Sequence, residues 1–137
     1  MESPKASPKV QLIRKYFDLV ANFNNDPKEY EQILHKDMVE TEYPNLLSPI
    51  TRNRSTEEGM KGISMGRRFL KFQKFAIQKV FESENAVTVE MIWSGEILAN
   101  IGPLKADQAL SAFVCYVFEF KDGLILHQRH YDCFESI

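Results

Sequence analysis

The sequence predicts an α+β domain: one strongly curved, mostly antiparallel β-sheet with helices packed against its concave side. Two observations carry this. Apolar residues in the first half recur at three- and four-residue spacing, whereas from Phe75 onward they recur at every second residue. Tight turn signals, "SEN" (Ser83–Asn85) and "KDG" (Lys121–Gly123), then divide the second half into long strands. Helices gathered first and antiparallel strands gathered last define that class. The 137 residues suit one domain, 1–137, with residues 1–7 expected as a flexible N-terminal tail.

Ser7-Pro8 reads as an N-cap and first helical position, and Val10, Ile13, Phe17 and Val20 form the core-facing stripe after it, with Tyr16 on its flank. "NND" followed by Pro27 ends this helix and caps a short second one carrying Tyr30, Ile33 and Leu34. "DMVETEYP" alternates, with Val39, Thr41 and Tyr43 on one face and Glu40 and Glu42 on the other, a short strand stopped by Pro44. The loop "NLLSPITRN" leads to Ser55-Thr56-Glu57-Glu58, the start of a third helix with a weak stripe of Met60, Ile63, Arg67 and Leu70. Each glycine in it costs about 1 kcal/mol of helix propensity against Ala, which implies close packing or a mobile segment. "FAIQKVFES", "AVTVEMIWSGEIL", "LSAFVCYVFEF" and "LILHQRHYDCF" are four strands, with "NIGPLKADQ" a longer connection.

"LSAFVCYVFEF" is apolar on both faces: Ser111, Phe113, Cys115 and Val117 alternate with Ala112, Val114, Tyr116 and Phe118. A sheet wet on one side alternates more cleanly. A cover is therefore expected; a second copy of the chain, giving a homodimer, is the simplest, and an added terminal segment is another.

With 44% hydrophobic and 26% charged residues the composition is that of a globular protein. A net charge of −2, with acids and bases mixed, lacks the basic face that nucleic acid requires; "RNR" (Arg52–Arg54) and "GRR" (Gly66–Arg68) are too short to supply it. No secretory h-region or membrane span is visible, so no membrane partner and a cytoplasmic location are expected. The two cysteines offer neither a disulfide framework nor zinc spacing, and Cys115 reads as a core residue. No cofactor or metal is expected.

"KYFDLV", "DPKEYEQILHKDMVETEYPN", "VTVEMIWSGE", "VFEFKDGLI" and "QRHYDCF" resemble the NTF2-like superfamily, nearest its SnoaL-like (polyketide cyclase) and ketosteroid-isomerase-like members, from about Val10 to Phe134. The resemblance implies a cone in which three helices close over a bent sheet around a largely apolar pocket. It also implies pocket-facing positions: Val87, Val89, Met91 and Trp93, then Ala112, Val114, Tyr116 and Phe118, then Gln128, His130 and Asp132. Residues two apart on a strand share a face, which agrees. The isomerases' oxyanion tyrosine matches Tyr16, but their base aspartate matches Tyr43 in "EYP" and their second oxyanion acid falls near Tyr116. With an ordinary pKa near 10, tyrosine is a poor base, so isomerase chemistry of that exact type is not expected.

The SnoaL-type resemblance points instead to Asp132, with His130 on the same face as a general acid–base unit; a structural role for Asp132 near a strand end is the alternative. Tyr16, Tyr43, Met91, Trp93, Val114, Tyr116, Phe118 and Gln128 are the expected ligand contacts. His127, Arg129, Tyr131 and Cys133 fall on the opposite face, which breaks the H-x-x-H metal spacing. Glu42 is expected to face away unless a bulge turns it, Glu90 to face away, and Glu96 is open. The expected function is binding of a small, largely apolar or aromatic organic molecule, with an acid–base step of isomerase, cyclase or hydratase type. The alternative is a non-enzymatic binding or dimeric interaction module on the same fold.

Overall fold

A computed structural model describes residues 6–135; residues 1–5 of the expected tail lie outside them. Helix α1 (Pro8–Ala21) starts where Ser7 Oγ accepts from the Val10 N–H at 3.2 Å and Pro8 fills the first turn. It buries Val10, Ile13, Tyr16 and Phe17. Helix α2 (Pro27–Glu31) is capped by Asp26, whose side chain accepts from the Lys28 N–H. Helix α3 (Thr56–Phe69) opens with a capping box between Ser55 and Glu58, and places acids in its first turn and Arg67 and Arg68 in its last, as the helix dipole favours. None of its residues is buried, so it lies over the sheet as a loose roof.

The strands are β1 (Leu34–Glu42), β2 (Arg52–Ser55), β3 (Leu70–Glu82), β4 (Ala86–Ile97), β5 (Ala109–Lys121) and β6 (Leu124–Phe134). They form one sheet in the order β2-β1-β6-β5-β4-β3, antiparallel except where β1 runs parallel to β6. With the three helices on one side this is the expected α+β cone, curled but not closed. Asp122 and Gly123 both take positive φ (54° and 76°), the primed turn that suits a two-residue hairpin between β5 and β6.

Three boundaries differ from expectation. Ile33 and Leu34 do not extend α2: the helix ends at Glu31 and β1 begins at Leu34. Arg52–Asn53 leaves the expected loop to start β2, drawn into the sheet by antiparallel pairing with β1 rather than by any apolar alternation of its own. Strand β3 starts at Leu70 rather than Phe75, because α3 passes straight into the strand and Leu70 N–H still caps the helix by bonding Gly66 O.

The concave face holds the core. Register stacks Val89, Tyr116 and His130 across β4, β5 and β6, and beside them Met91, Val114 and Asp132. Val87, Val89, Met91, Ala112, Val114, Tyr116, Phe118, Gln128 and His130 are all buried there under α1. The convex face carries Phe81, Phe113, Tyr131 and Val39, all exposed.

Candidate functional site

Strand β6 sets the site. His130 and Asp132 point into the cone two residues apart, and their side chains meet: His130 Nδ1 lies 2.9 Å from Asp132 Oδ2 and 3.1 Å from Oδ1. The parallel register places Glu40 beside Gln128 and Glu42 beside His130, and in-register neighbours share a face. Both glutamates therefore enter the cone. Glu42 was expected to face away; the parallel pairing reverses β1, helped by a register shift between Leu34 and Val39.

Glu40 Oε2 sits 3.3 Å from His130 Nε2, an ion-pair distance without the alignment of a hydrogen bond. Arg54 on β2 bridges the glutamates, with Nη1 2.9 Å from Glu42 and 3.3 Å from Glu40. Asn45 Nδ2 donates to Glu42 Oε2 at 2.9 Å. The Tyr116 ring stacks on the His130 imidazole, with centroids 4.6 Å apart and planes 13° apart. A chain of alternating charge results: Asp132, His130, Glu40, Arg54, Glu42.

Burial alone would lower the His130 pKa, but the hydrogen bond to Asp132, then Glu40, outweighs it and pushes the imidazolium up to about 9. At neutral pH His130 is a cation. Burial would raise the Glu40 carboxyl, yet His130 and Arg54 hold it below the ordinary range. Burial, then neighbouring Tyr16 and Glu40, pushes the Tyr116 phenol well above its usual value; burial and Glu40 do the same to Tyr16, partly offset by Gln128. Both phenols are neutral hydroxyls at physiological pH.

These groups form the polar end of a cavity of about 330 Å³, within the size range of small-molecule sites. Glu40, Glu42, Arg54, Tyr116 and Asp132 line that end, and Phe75, Trp93, Val114, Phe134 and Ile63 line the apolar remainder. Trp93 is fixed in the wall: its Nε1 donates to Gln73 Oε1 at 2.9 Å, and Gln73 Nε2 donates to Val20 O at 3.0 Å. Its ring lies so close over Gly95 that a Cβ there would stand 3.0 Å from it. A smaller chamber of about 80 Å³ adjoins this cavity and includes Tyr16, Met38 and Gln128 in its lining. Among the described residues no cluster of three or more His, Cys, Asp or Glu has the geometry to hold a metal ion.

Of the expected contacts, Trp93, Val114, Tyr116 and Asp132 line the main cavity, and Tyr16, Tyr116 and Gln128 the small chamber. His130 lies behind Asp132 and Glu40, outside both linings. Met91 and Phe118 are buried in the core and line neither cavity. Tyr43 is a correction: it stacks on outward-facing Tyr131, centroids 4.8 Å apart, because the reversal that brings Glu40 and Glu42 in turns Tyr43 out. The glutamates and Arg54 are the residues that sequence reasoning passed over. Two carboxylates at alternate positions of a strand, followed by an arginine in the adjoining "RNR", were the available signal.

The fold is that of the NTF2-like and ketosteroid-isomerase-like proteins. Among solved structures it is similar to IdmH from Streptomyces antibioticus, assigned as a polyketide cyclase, with a TM-score of 0.75 at 12% identity over 90% of this chain and 91% of that one. A protein assigned as a SnoaL-like polyketide cyclase from Jannaschia sp. CCS1 gives 0.73 at 12% identity, covering 96% and 90%. An LEH-like epoxide hydrolase from M. tuberculosis gives 0.65 at 20% identity, covering 96% and 82%. At these identities the likeness is one of fold. No protein-family model matches the sequence, and no curated protein matches it either.

Proposed function

We propose that this chain is a cytoplasmic, homodimeric SnoaL-like protein that binds a small, largely apolar organic molecule in its cavity and carries out an acid–base step on it, of isomerase, cyclase or hydratase type. The observation that carries the reading is the placement of the His130 imidazole between Asp132 and Glu40, two carboxylates that line the polar end of an otherwise apolar cavity. Asp132 faces the cavity and serves as the proton acceptor, from a C–H of the ligand or from water. His130 acts through it as a positioning residue, balancing the carboxylates' charge and fixing their orientation. The neutral Tyr116 hydroxyl is a donor for an oxygen that gains charge as the proton leaves. That similar folds are assigned as polyketide cyclases and as an epoxide hydrolase supports an enzymatic reading of the site.

The exposed Phe81, Phe113 and Tyr131 on the convex face support a dimer, and the two free cysteines suit a reducing compartment. Light scattering should give twice the chain mass, and Phe113→Asp should give the monomer.

The test of function is a thermal-shift screen with steroid-like, aromatic and fatty compounds, followed by hydrogen–deuterium exchange at carbon on any compound that binds. Asp132→Asn should bind and fail to exchange. Exchange that survives in Asp132→Asn refutes the assignment of the base. Binding by the native protein with no turnover of any kind favours a non-enzymatic binding module, a reading that has its own support: Arg54 and His130 already occupy Glu40, Glu42 and Asp132 as ion partners.

A further inference from the structure

The roof of the cavity is unusual in what it lacks. Gly59, Gly62 and Gly66 of α3 all line the main cavity. A Cβ on Gly62 would meet nothing within 4 Å, and one on Gly59 would meet only Glu40 Oε1, at 4.0 Å. Tight helix packing therefore does not demand Gly59 or Gly62, which leave room, whereas a Cβ on Gly66 would touch the Phe23 ring at 3.5 Å. The small chamber adjoins the main cavity here, for the two share Val20, Glu40, Gly59, Ile63 and Tyr116 in their linings.

Gln128, with no exposed surface, is part of that chamber's lining. Its Nε2 donates to Met38 Sδ at 3.6 Å, but its Oε1 has no hydrogen-bond partner among the described residues. A buried amide oxygen left without a donor is costly, and its cost is recovered when a donor arrives. The same chamber has the Tyr16 and Tyr116 side chains on its wall, so the acceptor stands in a setting that can hold one oxygen-bearing group.

We infer that the site takes an elongated ligand whose deep end carries a hydrogen-bond donor, a hydroxyl or N–H, which passes under Gly59 and donates to Gln128 Oε1. This rests on the reading that the cavity binds an apolar molecule, and it adds the shape and the terminal group. Gln128 is the specificity-determining residue, and Gly59 is the gate that admits the deep end. The Asp132 end of the cavity is then left to the portion of the ligand that reacts.

The experiment compares 4-phenylphenol, a rigid two-ring donor, with its methyl ether 4-methoxybiphenyl, which has the same skeleton and cannot donate, by calorimetric titration. The native protein should bind the phenol about tenfold more tightly, the size of one hydrogen bond to a buried acceptor. Gln128→Leu should bring the two affinities together by weakening the phenol alone. Gly59→Leu, whose Cβ would meet only Glu40 Oε1, at 4.0 Å, and whose longer side chain would fill the chamber, should erase the preference in the same way and covers the case in which Gln128→Leu does not fold. A preference that survives both substitutions assigns the donor to another acceptor, Glu40 included, and overturns the inference. Equal native affinities for the two compounds overturn it while leaving the apolar-pocket reading intact, and no binding of either removes both.

Discussion

Replacing Asp132 by Asn should return His130 to its neutral form at pH 7. In the native protein its ring nitrogens lie 2.9 Å from Asp132 and 3.3 Å from Glu40. At an effective dielectric of about 20, a unit-charge pair at such a distance is worth about 5–6 kcal/mol. The rise of the imidazolium from 6.5 to about 9 corresponds to only about 3 kcal/mol, so burial of the ring cancels most of what the two carboxylates supply. Removing one charge while the burial persists takes away more than the whole net gain. The ring should then titrate below 7. The assay is NMR of the histidine ring carbons and nitrogens across the neutral-to-alkaline range, with His130 assigned by its substitution with Gln. A native midpoint near the ordinary 6.5, or a midpoint that stays near 9 in Asp132→Asn, would refute the reasoning.

Stability should follow the same groups. Folded His130 binds its proton more tightly than the unfolded chain, so its contribution is fully present below about pH 6.5 and is lost as pH rises through about 9. Glu40, held below its ordinary range, contributes above about pH 4.5 and loses that contribution in acid. Urea midpoints should be higher at about pH 6 than at about pH 9.5, and the gap should shrink in His130→Gln. Arg54→Met leaves Glu40 and Glu42 facing each other without their shared counter-ion; the pair is only partly buried, so denaturation should show a loss of about 1–2 kcal/mol. Gly62→Leu should preserve or raise stability to unfolding, by up to about 1 kcal/mol of helix propensity. It should also abolish ligand-induced thermal shifts, because its side chain enters open cavity space.

The concave face of β4, β5 and β6 was legible because long strands joined by short turns keep one parity from end to end. Once Trp93, Tyr116 and His130 are placed inward, the rest of each strand follows by twos. The pairing of His130 with Asp132 was legible for the same reason. Strand β1 was not. Its facing depends on a parallel partner at the far end of the chain, and a parity rule applied inside "DMVETEYP" has no access to that partner. Charge misled as well: Glu40 and Glu42 look like a solvated face by composition, and only the arrival of His130 and Arg54 makes them affordable inside the cone. Arg52–Ser55 has no apolar alternation, so nothing local marks β2. Leu70 lies at a junction with no loop, where helical and strand spacing coincide for one residue.

The parallel seam between β1 and β6 also bears on when the site exists at all. Strands β3 to β6 join through neighbours in sequence, two of the three connections being tight turns, and need close only modest loops. Residue 40 meets residue 130 only after the long stretch of chain from β1 to β6 has closed on itself. That closure is the entropically expensive, late kind of contact. The proton-handling groups therefore come together at the last seam rather than in the hairpin stack. A ligand held between Glu40 and Asp132 would bridge that seam, acting as a clasp as well as a reactant: it should slow amide exchange in β1 before it changes anything in β4.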